Sequence, residues 1–165
     1  MKKIINILIV SGFITSCGFY SFTGASIPEE AKSVSVNYFT TTATNAPSSL
    51  SQTVTEELRD LLLSQTSLEL TELEGDLIFK GKITKYNVSP MAIQANETAG
   101  KNRLSIAIKA TYINNFNNKQ NFENIFSRYR DFNSSENLAD IENILIEGII
   151  NEILEDIFNK AFVNW

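Results

Sequence analysis

Two long stretches of this chain alternate apolar and polar residues with a period of two, and that pattern restricts the fold more than any other feature. From Asp76 to Val88, the apolar Leu77, Phe79 and Ile83 interleave with Lys80, Lys82 and Thr84. From Arg103 to Ile113, Leu104, Ile106, Ile108, Ala110 and Tyr112 oppose Arg103, Ser105, Lys109 and Thr111. Successive side chains of a strand point to opposite faces, so both stretches predict half-buried strands. A third, from Phe122 to about Arg130, follows the Asn-rich turn Asn114 to Asn121. Its parity fails, because Phe122 and Phe126 disagree with Ile125 and Tyr129, and a bulge would reconcile them. Ala31 to Phe39 alternates as well, with Val34, Val36 and Tyr38 on one side, and Leu68 to Glu72 reads as a further short strand.

Two segments carry helical spacing instead. Ser48 or Ser49 caps a helix to about Ser64, in which Leu50, Val54, Leu58, Leu61 and Leu62 share a face. Ser134 or Ser135 opens a longer one to about Phe162, with a wide stripe of Ile146, Ile149, Ile150, Ile153, Leu154, Ile157 and Ala161. Gly148 in its middle costs about 1 kcal/mol relative to Ala. One apolar face per element predicts an α+β two-layer sandwich: two helices on one face of a mostly antiparallel sheet of four or five strands, the other face open to water. Between the first two long strands, Ser89 to Asn102 reads as a long loop, with or without extended flanks, containing Pro90, Met91 and Ile93. Loops of that length in a small domain are usually functional or disordered.

The chain has no His and one Cys. Histidine-based nucleophile activation and the usual zinc sites are thereby excluded, and neither a metal nor a cofactor is expected. Carboxylate pairs one helical turn apart, Glu56 with Asp60 and Glu152 with Asp156, are explained by the wet faces of amphipathic helices. The overall charge of −5 hides a division. Residues 76–132 hold nine Lys or Arg against four Asp or Glu, whereas residues 48–75 and 133–165 sum to −5 and −6. The sheet is basic and the helices are acidic. Lys80, Lys82, Arg103 and Lys109 are expected on the open face, with Arg128 and Arg130 near it. Such a face suits a phosphorylated or polyanionic partner, although exposed strand lysines also serve solubility and blunt sheet edges.

The N-terminus sets the compartment. Lys2 and Lys3 precede an apolar run from Ile4 to Ile14, the length of an export signal rather than of a membrane span. The run ends at Ile14-Thr15-Ser16-Cys17, which looks like a degenerate bacterial lipobox. The expectation is a signal over 1–16, acylation of Cys17, a tether over 17–30 and a folded domain over 31–165. Two or three acyl chains anchor stably, each buried CH₂ contributing about 0.8 kcal/mol. In an exported protein nucleic acid is not the expected polyanion, while anionic lipid is abundant.

Cys17-Gly18-Phe19-Tyr20 after the signal, the strand-helix-strands-helix order, Asn96-Glu97-Thr98-Ala99 before the second long strand, and Ser127-Arg128-Tyr129 before the last helix together resemble the LptE family of lipopolysaccharide-assembly lipoproteins. The ending Phe158-Asn159-Lys160 followed by Asn164-Trp165 is similar to a divergent branch. The resemblance implies a non-enzymatic lipoprotein of the outer membrane, facing the periplasm, that plugs and helps assemble the LptD β-barrel. It also implies lipopolysaccharide binding at basic loop and sheet positions, here Lys80, Lys82, Lys101, Arg103, Lys109, Arg128 and Arg130. The family's basic loop before the penultimate strand is Gln94-Ala95-Asn96 in this chain, leaving Lys101 and Arg103 as the nearest substitutes. Contact with the barrel is expected from Pro90, Met91 and Ile93.

Overall fold

The computed structural model describes residues 27–91 and 100–163. In chain order they form β1 (Ser33–Val36), β2 (Thr40–Thr41), helix α1 (Leu50–Gln65), β3 (Glu69–Leu70), β4 (Leu77–Pro90), β5 (Lys101–Asn114), a 3-10 turn (Asn118–Gln120), β6 (Phe122–Asn133) and helix α2 (Leu138–Phe162). The strands make one six-stranded sheet in the order β3-β1-β4-β5-β6, with β2 beside β4 beyond the end of β1. The α+β sandwich is as expected, but the sheet has more strands and is mixed. Its long strands β4, β5 and β6 are antiparallel, whereas β1 runs parallel to both β3 and β4, and β2 parallel to β4. Helix α1 is the cause: it carries the chain back to the sheet end where β1 began, so the next strands set out in the same direction.

The expected bulge in the third stretch is absent. Pairing between β5 and β6 is unbroken from Lys101 opposite Asn133 to Tyr112 opposite Phe122. Ile125 and Tyr129 therefore stay on the open face, 66% and 51% exposed, while Phe122 and Phe126 turn toward the helices. The irregularity lies in β4, where Thr84 is an extra residue between Ile83 and Lys85. Its hydroxyl donates to the Ala107 carbonyl at 3.2 Å. Core-facing positions run Leu77, Phe79, Gly81, Ile83 and resume at Tyr86, a step of three.

Parity also fails after Val36. Tyr38, expected inside, is 58% exposed, and Phe39 is fully buried. The Phe39 amide donates to Thr55 Oγ1 at 3.0 Å, and Arg59 Nη2 donates to the Val36 carbonyl at 3.2 Å, so α1 draws the chain out of the strand. The Phe39 ring then lies against Gly81, where a Cβ would also meet the Lys109 carbonyl at 2.8 Å. Absence of a side chain at Gly81 is what lets the Phe39 ring lie against β4.

The even-numbered residues of β5 from Leu104 to Tyr112 form the centre of the core, beneath Leu50, Val54, Leu58 and Leu62 of α1 and the isoleucine stripe of α2. Each such side chain contributes about 1.5–3 kcal/mol on full burial. At one end Tyr112 packs 4.9 Å from Phe79, 5.5 Å from Phe122 and 5.9 Å from Phe162, centroid to centroid. The hairpin beyond it is organised by fully buried Asn114, whose Oδ1 accepts from the amides of Phe116 and Asn117 at 2.9 and 3.1 Å. Helix α2 starts later than the serines suggested. Asn137 is its cap, accepting from the Ala139 amide at 3.3 Å, because Ser134 is held by the Gly100 carbonyl in the preceding turn.

Where the helices meet, Glu57 of α1 carries a buried carboxylate oxygen, Oε2, without a hydrogen-bond partner. Burial first, then repulsion from Glu147 of α2 and from Asp60, raises its pKa above the ordinary 4.5. A raised carboxyl pKa means that ionisation opposes folding: the penalty is absent below the unfolded value and complete once pH exceeds the folded one. Glu57→Gln is expected to raise stability at pH 7, by under about 1 kcal/mol given the partial exposure, with the advantage vanishing below pH 4.5. Urea titrations at both pH values measure it. Gly81→Ala, by forcing Phe39 aside, is expected to cost about 1–3 kcal/mol in the same assay.

Candidate anion-binding face

On the open face of the sheet, register places Lys80 beside Thr111, Lys82 beside Lys109 and Lys85 beside Ala107. Lys85 is there only because of the Thr84 bulge, since strict alternation would have turned it toward the helices. It was not among the residues expected at the site. The signal was present in the sequence as the three-residue step from Ile83 to Tyr86. Like charges directly opposed across strands are destabilising. The Lys82 and Lys109 pair is relieved on one side by Glu123 of β6, whose Oε1 lies 2.6 Å from Lys109 Nζ. That hydrogen bond is the main cause of the lowered Glu123 pKa.

Arg103 is also on this face, but its charge is engaged. It forms a two-pronged pair with Asp131, Nε to Oδ1 at 2.7 Å and Nη2 to Oδ2 at 2.9 Å, and its guanidinium lies 3.6 Å from the Tyr129 ring centroid. The pair lowers the Asp131 pKa and raises that of Arg103. Lys101 sits at the start of β5 opposite Asn133 and lines a groove of about 330 Å³ with Phe132, Ile141 and Leu145. Lys80, Lys82 and Lys85 are exposed and make no ion pair among the described residues. These three ammonium groups, with Lys109 at their margin, are the cluster available to an anion.

Arg128 and Arg130 belong elsewhere. Their register partners are Ile106 and Leu104, so they lie on the helix side of β6, not with the open-face lysines. The regular β6 without a bulge dictates this. Arg130 Nη2 donates to Glu152 Oε1 at 2.6 Å and to the Gly148 carbonyl at 3.2 Å. Arg128 Nη2 reaches Asp156 Oδ2 at 2.6 Å. The Glu152 and Asp156 pair on α2 thus supplies the counterions of β6, and the Glu152 pKa is lowered chiefly by Arg130. Gly148 has a structural reason as well: a Cβ there would sit 3.3 Å from Arg130 Nε.

The flanks of the Ser89 to Asn102 segment are extended, which leaves a short loop between β4 and β5. Pro90 is the last residue of β4, opposite Asn102, and the Met91 amide donates to the Lys101 carbonyl at 2.8 Å. Ile93 and the Gln94 to Thr98 stretch lie outside the described residues, as does Cys17.

Gly148→Ala tests the helix-side assignment of Arg130. In an Arg130→Ala background it is expected to stabilise by about 1 kcal/mol through helix propensity. In the native background the gain is expected to shrink or reverse, because Arg130 must move. A double-mutant cycle by chemical denaturation reads the difference.

Comparison with known proteins bears on the whole of this fold. The hypothetical protein CT253 from Chlamydia trachomatis superposes with a TM-score of 0.56 at 12% identity, covering 81% of this chain and 100% of that one. A minor lipoprotein from Acinetobacter baumannii gives 0.52 at 12% identity, over 79% and 91% of the two chains. At such identity these likenesses show the fold alone. No curated protein sequence matches significantly. A family model described as LptE, lipopolysaccharide-assembly, matches residues 31–161, from the residues leading into β1 almost to the end of α2. With that span matched over the sandwich just described, the chain belongs to the LptE lipopolysaccharide-assembly family.

Proposed function

We propose that this chain is a lipid-anchored, non-catalytic component of lipopolysaccharide assembly at the outer membrane. In this reading residues 1–16 are a signal, Cys17 carries the acyl chains and residues 17–30 tether a periplasm-facing domain. The domain plugs an LptD-like β-barrel and offers Lys80, Lys82 and Lys85 to lipid phosphates, with Met91 and Ile93 directed to the barrel. The observation that carries it is the family match over residues 31–161, to which the structure adds a cluster of lysines on a face that neither described helix covers. Charge-assisted contacts to phosphate are about twice as strong as neutral ones, and three adjacent ammonium groups suit a phosphorylated glycolipid.

Binding of the purified chain to lipid A vesicles, compared with vesicles of a neutral lipid, tests the lipid half. The Lys80→Glu, Lys82→Glu, Lys85→Glu variant is expected to bind lipid A at least about tenfold more weakly, some 1.4 kcal/mol, with unchanged circular dichroism. The native protein should lose affinity as salt rises. Arg128→Ala should leave lipid binding unchanged. Equal binding by the reversed variant would make the lysines a solubility device. Photo-crosslinking from position 91 in intact cells tests the other half, the expected product being a large outer-membrane β-barrel. Labelling of lipid alone would leave a tethered anionic-lipid binder.

A further inference from the structure

The two edges of the sheet are built differently. One is broken into β2 and β3, of two residues each, short edges of the kind that resist pairing with other chains. The other is β6, twelve residues in unbroken register with β5, with no proline or lysine. No described strand covers its outer side.

Hydrogen-bond alternation identifies which groups are left over. The Ser134 amide bonds the Gly100 carbonyl, so even-numbered residues of β6 face β5 in the ladder. The N–H and C=O groups of Glu123, Ile125, Ser127, Tyr129 and Asp131 consequently point away from the sheet. At the end of the row the Asn133 amide is capped by Glu136 at 2.8 Å, and the Tyr129 carbonyl takes a bond of 3.3 Å from Arg130.

Charges that would ordinarily guard such an edge are drawn off it. Glu123 is held by Lys109, Asp131 by Arg103, Arg130 by Glu152 and Arg128 by Asp156. What remains on the open-face side of this edge is Ile125 and Tyr129, two strand positions either side of Ser127 and both more than half exposed, the Tyr129 ring with the Arg103 guanidinium on one of its faces.

We infer that the outer edge of β6 is a docking site for an extended segment of another polypeptide, which joins the sheet as a further strand. Strand addition supplies main-chain hydrogen bonds for affinity and side-chain contacts for selectivity. The incoming segment is uncharged over its central residues and places apolar side chains beside Ile125 and Tyr129. A second copy of this chain fits less well. Helix α2 leans over β6 closely enough for Glu152 and Asp156 to hold Arg130 and Arg128, so pairing β6 with its equivalent would bring two acidic helices together. A lone strand meets no such obstacle. The inference does not depend on the lipid or barrel reading above.

Amide hydrogen exchange of the purified chain, resolved by NMR, tests it. The probe is a twelve-residue peptide alternating Thr and Val between charged ends. Saturating peptide is expected to slow exchange at Ile125, Ser127 and Tyr129 at least tenfold. A peptide with a central proline should have no such effect, and Ile125→Lys with Tyr129→Lys should abolish the slowing while β4 and β5 remain protected. No slowing, or equal slowing by the proline peptide, would overturn the proposal. Protection of these amides without peptide would also overturn it: a second copy occupies the edge if that protection rises with protein concentration, and a segment of the chain itself does if it does not.

Discussion

Strand β5 is hydrogen-bonded along both sides between Lys101 and Tyr112, while its even-numbered side chains lie under both helices. Everything else in the domain is placed by reference to that strand. Because Leu104, Ile106, Ile108, Ala110 and Tyr112 must all face the helices, a slip of one residue on either side would put a neighbouring strand's apolar set into water. The register of β4 and β6 follows, and with it the position of every charge on the open face.

The same constraint separates the cations of the sheet into two classes. Odd-numbered Arg103 and Lys109 of β5 share the open face with Lys80, Lys82 and Lys85 of β4. Even-numbered Arg128 and Arg130 of β6 fall on the helix side, where α2 supplies Glu152 and Asp156. Helix α2 is therefore partly neutralised by the sheet beneath it, and the segregation of charge along the sequence is only partly preserved in space. Among the cations of the open face, two are matched by carboxylates of β6, which leaves the β4 lysines as the concentrated positive charge.

The Thr84 bulge has a similar reach. It shifts the parity of the second half of β4, sending Tyr86 to the core, where its hydroxyl donates to Glu142 of α2 at 2.5 Å, and sending Lys85 outward. A single extra residue thus both fastens the N-terminal part of α2 and completes the lysine cluster. Bulges characteristically re-aim side chains in this way.

Period and spacing alone determined the long strands, both helices, the sandwich class and the side on which Lys80, Lys82, Arg103 and Lys109 lie, because each of those elements buries one face and repeats it. Membership of the LptE family was legible in the order and spacing of short motifs over the same length. Tertiary structure decided what local pattern leaves open. Whether a broken parity marks a bulge depends on the partner strand: Phe122, Ile125, Phe126 and Tyr129 looked irregular yet sit in a regular β6, since the edge strand tolerates apolar side chains on both faces. The parallel direction of β1 was set by the return path of α1, the buried position of Phe39 by Thr55 and Gly81, and the engagement of Arg103, Arg128 and Arg130 by carboxylates from 22 to 28 residues away. Such contacts between distant residues are invisible in a one-dimensional pattern, and they are what distinguishes a cation that can meet a ligand from one already held by its own fold.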